Sequence, residues 1–183
     1  YIFNDNENGP LGWAGRIAPE KGLEDAVKIA SDLGEKLLVW GIIEDKEYAS
    51  KIENTFTKGI IEWKGFLPTS QFQEQLGQCR AFINTPKWNE AYGNVIVEAL
   101  ACGVPVIAYD LGGPGELIED GLNGFLVQPN DIEGMKKATK LISKIKRRNC
   151  RNWFEKNATN KVFAERVENW INKGLNKNIS VDF

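Results

Sequence analysis

The stretch Ala81-Phe82-Ile83-Asn84, Thr85-Pro86-Lys87-Trp88-Asn89-Glu90-Ala91-Tyr92-Gly93, Asn94-Val95-Ile96-Val97-Glu98-Ala99-Leu100-Ala101-Cys102-Gly103, Val104-Pro105-Val106-Ile107-Ala108 reads in turn as strand, polar loop, helix and strand. Its two apolar runs are continuous rather than alternating, the mark of strands buried on both faces of a parallel sheet. The loop between them, Thr85 to Gly93, leads into a helix starting near Asn94.

The same alternation extends in both directions. Leu11 to Ala14, Lys36 to Gly41 and Ile60 to Trp63 are apolar runs of strand length before it, and Phe125 to Val127 is one after it, which makes six with Ala81 to Asn84 and Val104 to Ala108. Between them lie helical patterns. Leu23, Ala26, Val27, Ala30 and Leu33 form one apolar stripe closed by Gly34, and Tyr48, Ile52 and Phe56 share the face of a second helix. Ser70 and Gln73 have the spacing of a capping box ahead of a short helix using Phe72, Leu76 and Cys79. Beyond Pro129 the pattern is helical only, with Asp131 as cap and amphipathic segments at Asp131 to Ile142 and Asn160 to Ile171. This spacing predicts a doubly wound, Rossmann-like α/β domain: about six parallel strands, helices on both faces, and C-terminal helices.

Composition bounds the chemistry. The 183 residues are 42% hydrophobic and 26% charged, an ordinary globular profile long enough for one domain with one core. No run approaches the roughly 18 apolar residues of a spanning helix, and no leader pattern opens the chain. With Tyr1 in first place and Met135 as the sole methionine, the chain is expected to be a processed or cut piece. It contains no histidine, so Ser-His and Cys-His nucleophile pairs, histidine bases and the usual zinc sites are excluded within it. Cys79, Cys102 and Cys150 lack CxxC spacing and read as buried, reduced thiols of a cytoplasmic protein.

The charge is uneven. Between Gly134 and Lys156 nine Lys or Arg residues face Glu155 alone, a net of +8, which leaves −10 on the rest of a chain whose total is −2. The segment reads as a solvated helical face or as a contact for an anionic membrane surface. Nucleic acid is not expected as a partner, because no stacking aromatics run through it.

In an open α/β sheet, ligands bind beyond the carboxyl ends of the strands, where helix N-termini offer unpaired N–H groups. Three loops fall there. Gly15-Arg16-Ile17-Ala18-Pro19-Glu20-Lys21-Gly22 carries two cations suited to a pyrophosphate, though surface charges fit it equally, and it lacks the GxGxxG spacing of a dinucleotide site. The second loop sets Glu90 before a helix that carries Glu98 among apolar residues. A helix-start charge and a satisfied buried carboxylate account for that pair as readily as a ligand does. Asp110 to Glu116 is glycine-dense and suits a phosphate, a sugar or a tight turn.

Together, Gly15-Arg16 with Lys21-Gly22 and Glu90-Ala91-Tyr92-Gly93 running to Glu98-Ala99-Leu100-Ala101-Cys102-Gly103-Val104-Pro105-Val106 closely resemble the nucleotide-sugar-binding, C-terminal domain of retaining GT-B glycosyltransferases. The type is glycosyltransferase family 4, or glycosyl transferases group 1. Trp63 to Pro68, Gly112-Gly113-Pro114 and Glu116 to Val127 add to the likeness, which covers roughly Leu11 to Asn172. The resemblance implies that Arg16 and Lys21 neutralise the leaving diphosphate without a metal or other cofactor. It puts Glu90 by the transferred sugar and Glu98 on the ribose. The backbone at Tyr92, Gly93 and Asn94 would hold phosphate, and Gly15 and Leu67 would complete the donor-binding set, the loop from Phe66 to Ser70 meeting the base. Ala91 stands where many members carry glycine.

The activity implied is transfer of a hexose from a UDP- or GDP-sugar to an acceptor hydroxyl with retained configuration, in polysaccharide or glycolipid synthesis. The acceptor would be a glycan or a lipid-linked sugar, met in the cytoplasm or at the inner face of a membrane. The family pairs two Rossmann-like domains, so an N-terminal domain with the acceptor contacts is the missing partner and the isolated chain is expected to be inactive. Residues 1–10 would end the interdomain linker, 11–172 form the nucleotide-sugar domain, and 173–183 the tail. Trp153, Phe154, Phe163 and Trp170 would be core or a face left bare by the partner domain. A non-catalytic nucleotide-sugar-binding or interaction domain of this fold is the alternative, with an epimerase or phosphorylase further off.

Overall fold

The computed structural model describes residues 1–56 and 58–177. Its six strands are β1 (Leu11–Ala14), β2 (Leu37–Trp40), β3 (Ile61–Gly65), β4 (Ala81–Asn84), β5 (Val106–Tyr109) and β6 (Gly124–Val127). They form one parallel sheet in the order β3-β2-β1-β4-β5-β6. The doubly wound α/β fold expected from the sequence is present, with strand ends shifted by one or two residues. Strands β1, β2, β4 and β5 are buried at every position, whereas β3, at the edge, is only half-buried.

The chain steps outward from β1 to β3, then returns past β1 to β4 and continues to β6. Right-handed crossovers in opposite directions put the helices on opposite faces. Accordingly α1 (Leu23–Leu33) packs on β1 and β2 and meets α6 (Ile132–Leu141). Helix α4 (Asn94–Ala101) packs on β4 and β5 and meets α3 (Thr69–Gly77) and α7 (Arg147–Asn157). Helix α2 (Lys46–Thr55) precedes β3, the short α5 (Pro114–Leu117) precedes β6, and α8 (Asn160–Lys177) closes the described chain. Leu11, Trp13, Phe82, Ile83, Ile107 and Tyr109 sit at the centre with 2% exposure or less.

Local signals account for several helix ends. Gly34 closes α1 in the left-handed region at φ 69°, Asp45 accepts from the Tyr48 N–H ahead of α2, and Asp131 caps α6 by accepting from the Gly134 N–H at 2.8 Å. The Ser70 capping box is a correction. Pro68 stands at the cap of α3, Ser70 lies inside its first turn, and no side chain caps it. Proline at that point fixes the entry backbone, and the helix starts two residues earlier than a Ser70 cap would set it. Cys79 falls just beyond α3 but is fully buried, as are Cys102 and Cys150, and all three are free thiols.

The basic segment is also corrected. It is not one solvated face: Arg147 opens α7 buried at 3% exposure and donates to the carbonyls of Asn4, Cys79 and Gly77, each at 2.7 Å. Arg151 donates to the carbonyls of Tyr1 and Ala101, and Lys136 pairs with Asp32 and Glu133. These bonds draw residues 1–10 across the α4 and α7 end of the molecule, where the Asn4 N–H also donates to the Cys102 carbonyl and the Phe3 ring lies against Gly103. Of the four aromatics near the C-terminus, Trp153 is core and Phe154 packs against it, while Phe163 and Trp170 are 68% and 76% exposed on α8. Helix α8 runs through the boundary expected at residue 172, and residues 178–183 of the tail lie outside the described residues.

Candidate functional site

The strand order reverses between β1 and β4, and the sheet's carboxyl end opens there as two adjoining cavities, of about 170 and 410 Å³, that share Ala14, Gly15 and Val95. The loops after β1 and β4 form their walls. Pro19–Lys21 makes a 3₁₀ turn that Gly22 closes at φ 65°, and a Cβ on Gly22 would lie 1.9 Å from the Thr85 carbonyl oxygen. Only glycine lets the two loops meet this closely. The Thr85 hydroxyl then donates to the Gly22 carbonyl at 2.8 Å, which fixes one loop on the other.

That lock places Lys21 in the smaller cavity, with Nζ 2.6 Å from Oε2 of Glu90. Both side chains are less than one-fifth exposed. The Trp88 indole N–H donates to the same oxygen at 3.3 Å, and its ring faces the Lys21 ammonium at 4.7 Å. The Glu90 backbone is held from the far side, where its N–H donates to Leu111 and its carbonyl accepts from Gly113 at 2.7 Å. A Cβ on Gly112 or Gly113 would lie within 2.5 Å of the Glu90 or Tyr92 backbone. The glycine-dense loop after β5 thus lies beneath the Glu90 segment and supports it.

Gly93 (φ 95°) starts α4 with no side-chain cap, and Asn94 and Val95 bring the open helix end to the cavity. Unpaired N–H groups and the helix dipole favour an anion there. Asn84, the last residue of β4, lines the same cavity; it is 8% exposed and its Oδ1 has no hydrogen-bond partner.

The larger cavity is apolar. Trp40, Phe72, Leu67 and Pro68 line it, the Trp40 indole donating to Gln75 and standing edge-on to Phe72 at 5.3 Å. Ile42 and Phe66 stand 61% and 73% exposed at its rim. Glu98 reaches it from the second turn of α4. Burial raises the Glu98 carboxyl above its ordinary range, partly offset by the Tyr1 hydroxyl donating to it at 2.6 Å. Its own burial, and then the same contact, push the Tyr1 hydroxyl up.

The residues singled out from the sequence converge on this crevice, with two qualifications. Arg16 does not share a cavity with Lys21. It lines the larger one, half-exposed, bonded to Glu44 at 2.6 Å and Glu20 at 2.7 Å. Tyr92 is 46% exposed and lines neither cavity, although its neighbours Gly93 and Asn94 line the smaller one. Sequence reasoning missed Trp88, Asn84, Tyr1 and Glu44. The one signal available was a polar residue ending the otherwise apolar run Ala81-Phe82-Ile83-Asn84.

A family profile described as glycosyl transferases group 1 matches residues 5–173. The chain belongs to that family. An uncharacterized glycosyltransferase of Methanocaldococcus jannaschii is 30% identical over 74% of this chain and 38% of its own length. The D-inositol 3-phosphate glycosyltransferase of Mycolicibacterium smegmatis is 31% identical over 67% of this chain and 30% of its own length. This glycosyltransferase-family chain therefore spans less than half the length of these curated relatives. Among solved structures, Anabaena HepE in complex with UDP superposes with a TM-score of 0.77 at 23% identity, covering 89% of this chain and 49% of HepE, and confirms the fold. Among the described residues, no helix of this family member is long and apolar enough to cross a membrane.

Proposed function

We propose that the chain is the donor-binding domain of a retaining glycosyltransferase that takes a UDP- or GDP-sugar and transfers its hexose to an acceptor hydroxyl. The observation that carries this reading is the divided crevice. A small cavity that holds Lys21, Glu90 and an open helix N-terminus adjoins a larger apolar one with Glu98 at its side. An anion with a sugar on one end and a nucleoside on the other matches that division. HepE, a protein of the same fold, has been solved with UDP and with UDP-glucose.

In this reading the β-phosphate sits at the start of α4, and Lys21 leaves Glu90 to meet it. Arg16 turns inward from Glu20 and Glu44 to share the diphosphate charge as the leaving group departs, so no metal is needed. Glu90, freed from Lys21, accepts hydroxyls of the transferred sugar. Glu98 exchanges the Tyr1 hydroxyl for the ribose, and Leu67 and its loop flank the base in the apolar cavity. The acceptor, a glycan or lipid-linked sugar, is held by an N-terminal domain outside this chain, and the whole protein works in the cytoplasm or on the inner membrane face. Titration calorimetry tests this directly. UDP or GDP should bind in the presence of a chelator and binding should weaken at least about tenfold on Lys21→Ala, while the isolated chain transfers no sugar. Failure of the wild-type chain to bind either nucleotide at millimolar concentration would sink the reading.

A further inference from the structure

Asn84 is the one buried side-chain polar atom site among the described residues left without a partner, its Oδ1 having no donor although the residue is more than nine-tenths buried. Leaving such an atom unpaired lowers stability. Its place is not incidental to the crevice. It ends β4 at the reversal of strand order, lines the 170 Å³ cavity, and shares that cavity with Lys21, Glu90 and the start of α4. Thr85, the next residue, uses its hydroxyl on Gly22, so the neighbouring polar group is satisfied within the protein and Asn84 alone is not.

The chemistry of the unmet atom narrows what would meet it. A carboxamide oxygen accepts, and so does the Glu90 carboxylate that lines the same cavity. Phosphate oxygens at neutral pH also accept and bring no donor to the Asn84 oxygen. A hydroxyl both donates and accepts, so it satisfies either end of the carboxamide and the carboxylate alike. A carboxamide and a carboxylate on two residues that line one small cavity, beside a cation and a helix N-terminus, match a polyhydroxylated group carried on a phosphate.

We infer that Asn84 is a sugar-recognising residue, its carboxamide bonding a hydroxyl of the transferred hexose opposite Glu90 on the floor of the small cavity. This rests on the donor-binding reading above and adds to it a residue that fixes which sugar is held and how. The apolar replacement should therefore separate stability from recognition.

The test compares wild type with Asn84→Leu, a near-isosteric apolar change, and with Asn84→Ala. The probes are UDP, GDP, UDP-glucose, UDP-galactose, UDP-N-acetylglucosamine and GDP-mannose, titrated by calorimetry beside ligand-free thermal melts. The expected result is a loss of about three- to tenfold in affinity for the best-bound nucleotide sugar. Affinity for its parent nucleotide should stay within about twofold, and the ligand-free melting temperature of Asn84→Leu should be unchanged or raised. Equal weakening of nucleotide and nucleotide sugar overturns the inference, as does an unchanged ratio between them. A lowered ligand-free melting temperature in both variants, with that ratio unchanged, marks Asn84 as structural and overturns it too. A wild-type chain that binds neither UDP nor GDP fails the donor-binding reading itself, which the parent-nucleotide titrations register separately.

Discussion

Lys21 and Glu90, 69 residues apart, face each other at 2.6 Å across the crevice, each less than one-fifth exposed. In the ligand-free molecule the cation suited to a diphosphate is thus already held by a carboxylate, and binding an anion is an exchange of partners. Lys21→Ala should lower UDP or GDP affinity by at least about tenfold, since it removes a charge-assisted contact. Glu90→Gln should do the reverse for the bare nucleotide, raising its affinity roughly two- to fivefold by removing the competitor. Calorimetry of the two variants side by side checks the opposed signs.

Arg16 is half-exposed in its pairs with Glu20 and Glu44, so those pairs contribute little to folding. Arg16→Ala should change unfolding free energy by less than about 1 kcal/mol while weakening nucleotide binding. Urea melts and titrations on the same preparation would reveal a merely structural role as a loss of stability with unchanged affinity.

Glu98 is expected to make stability depend on pH. Burial raises its folded carboxyl above the unfolded value, so the folded state binds the extra proton. Its contribution is fully present below the unfolded value and lost as pH rises through the folded one. Glu98→Gln should flatten that decline, measured as urea midpoints between about pH 4 and 7. A wild-type profile matching the variant's would show that the carboxyl titrates normally.

Arg147 satisfies three carbonyls on two segments that are far from it in sequence. Arg147→Ala leaves them without that donor and should cost about 3 kcal/mol or more. Arg147→Lys should recover only part, because one ammonium cannot reproduce the planar fork. Chemical denaturation gives the loss, and faster proteolysis within residues 1–10 would show that this segment has come away.

The sheet was legible because its strands are continuous apolar runs with helical stripes between them, and α1 was legible down to the glycine that ends it. Helix α7 was not, because its inward positions are Arg147, Cys150 and Trp153, and an arginine that binds backbone carbonyls leaves no apolar period to read. The site residues were named from the loops after the strands, but what each one touches was not. Whether Lys21 pairs with Glu90 or with solvent depends on Gly22 meeting Thr85 from 63 residues away. Asn84 was passed over because a single polar residue in a strand is unremarkable until its neighbours prove unable to satisfy it.

The fastening of Asn4 to Arg147 spans 143 positions. During synthesis at roughly 5–20 residues per second, Asn4 must wait about 7 to 29 s before that guanidinium is made. The sheet's carboxyl-end crevice depends on no such delay, since β1, α1, β4 and the start of α4 are all made earlier. Residues 1–10 are accordingly fastened to Arg147 only after all six strands of the sheet have been made. Tyr1 belongs to that segment and is bonded to Glu98, so the same late step would bring a side chain to the edge of the crevice.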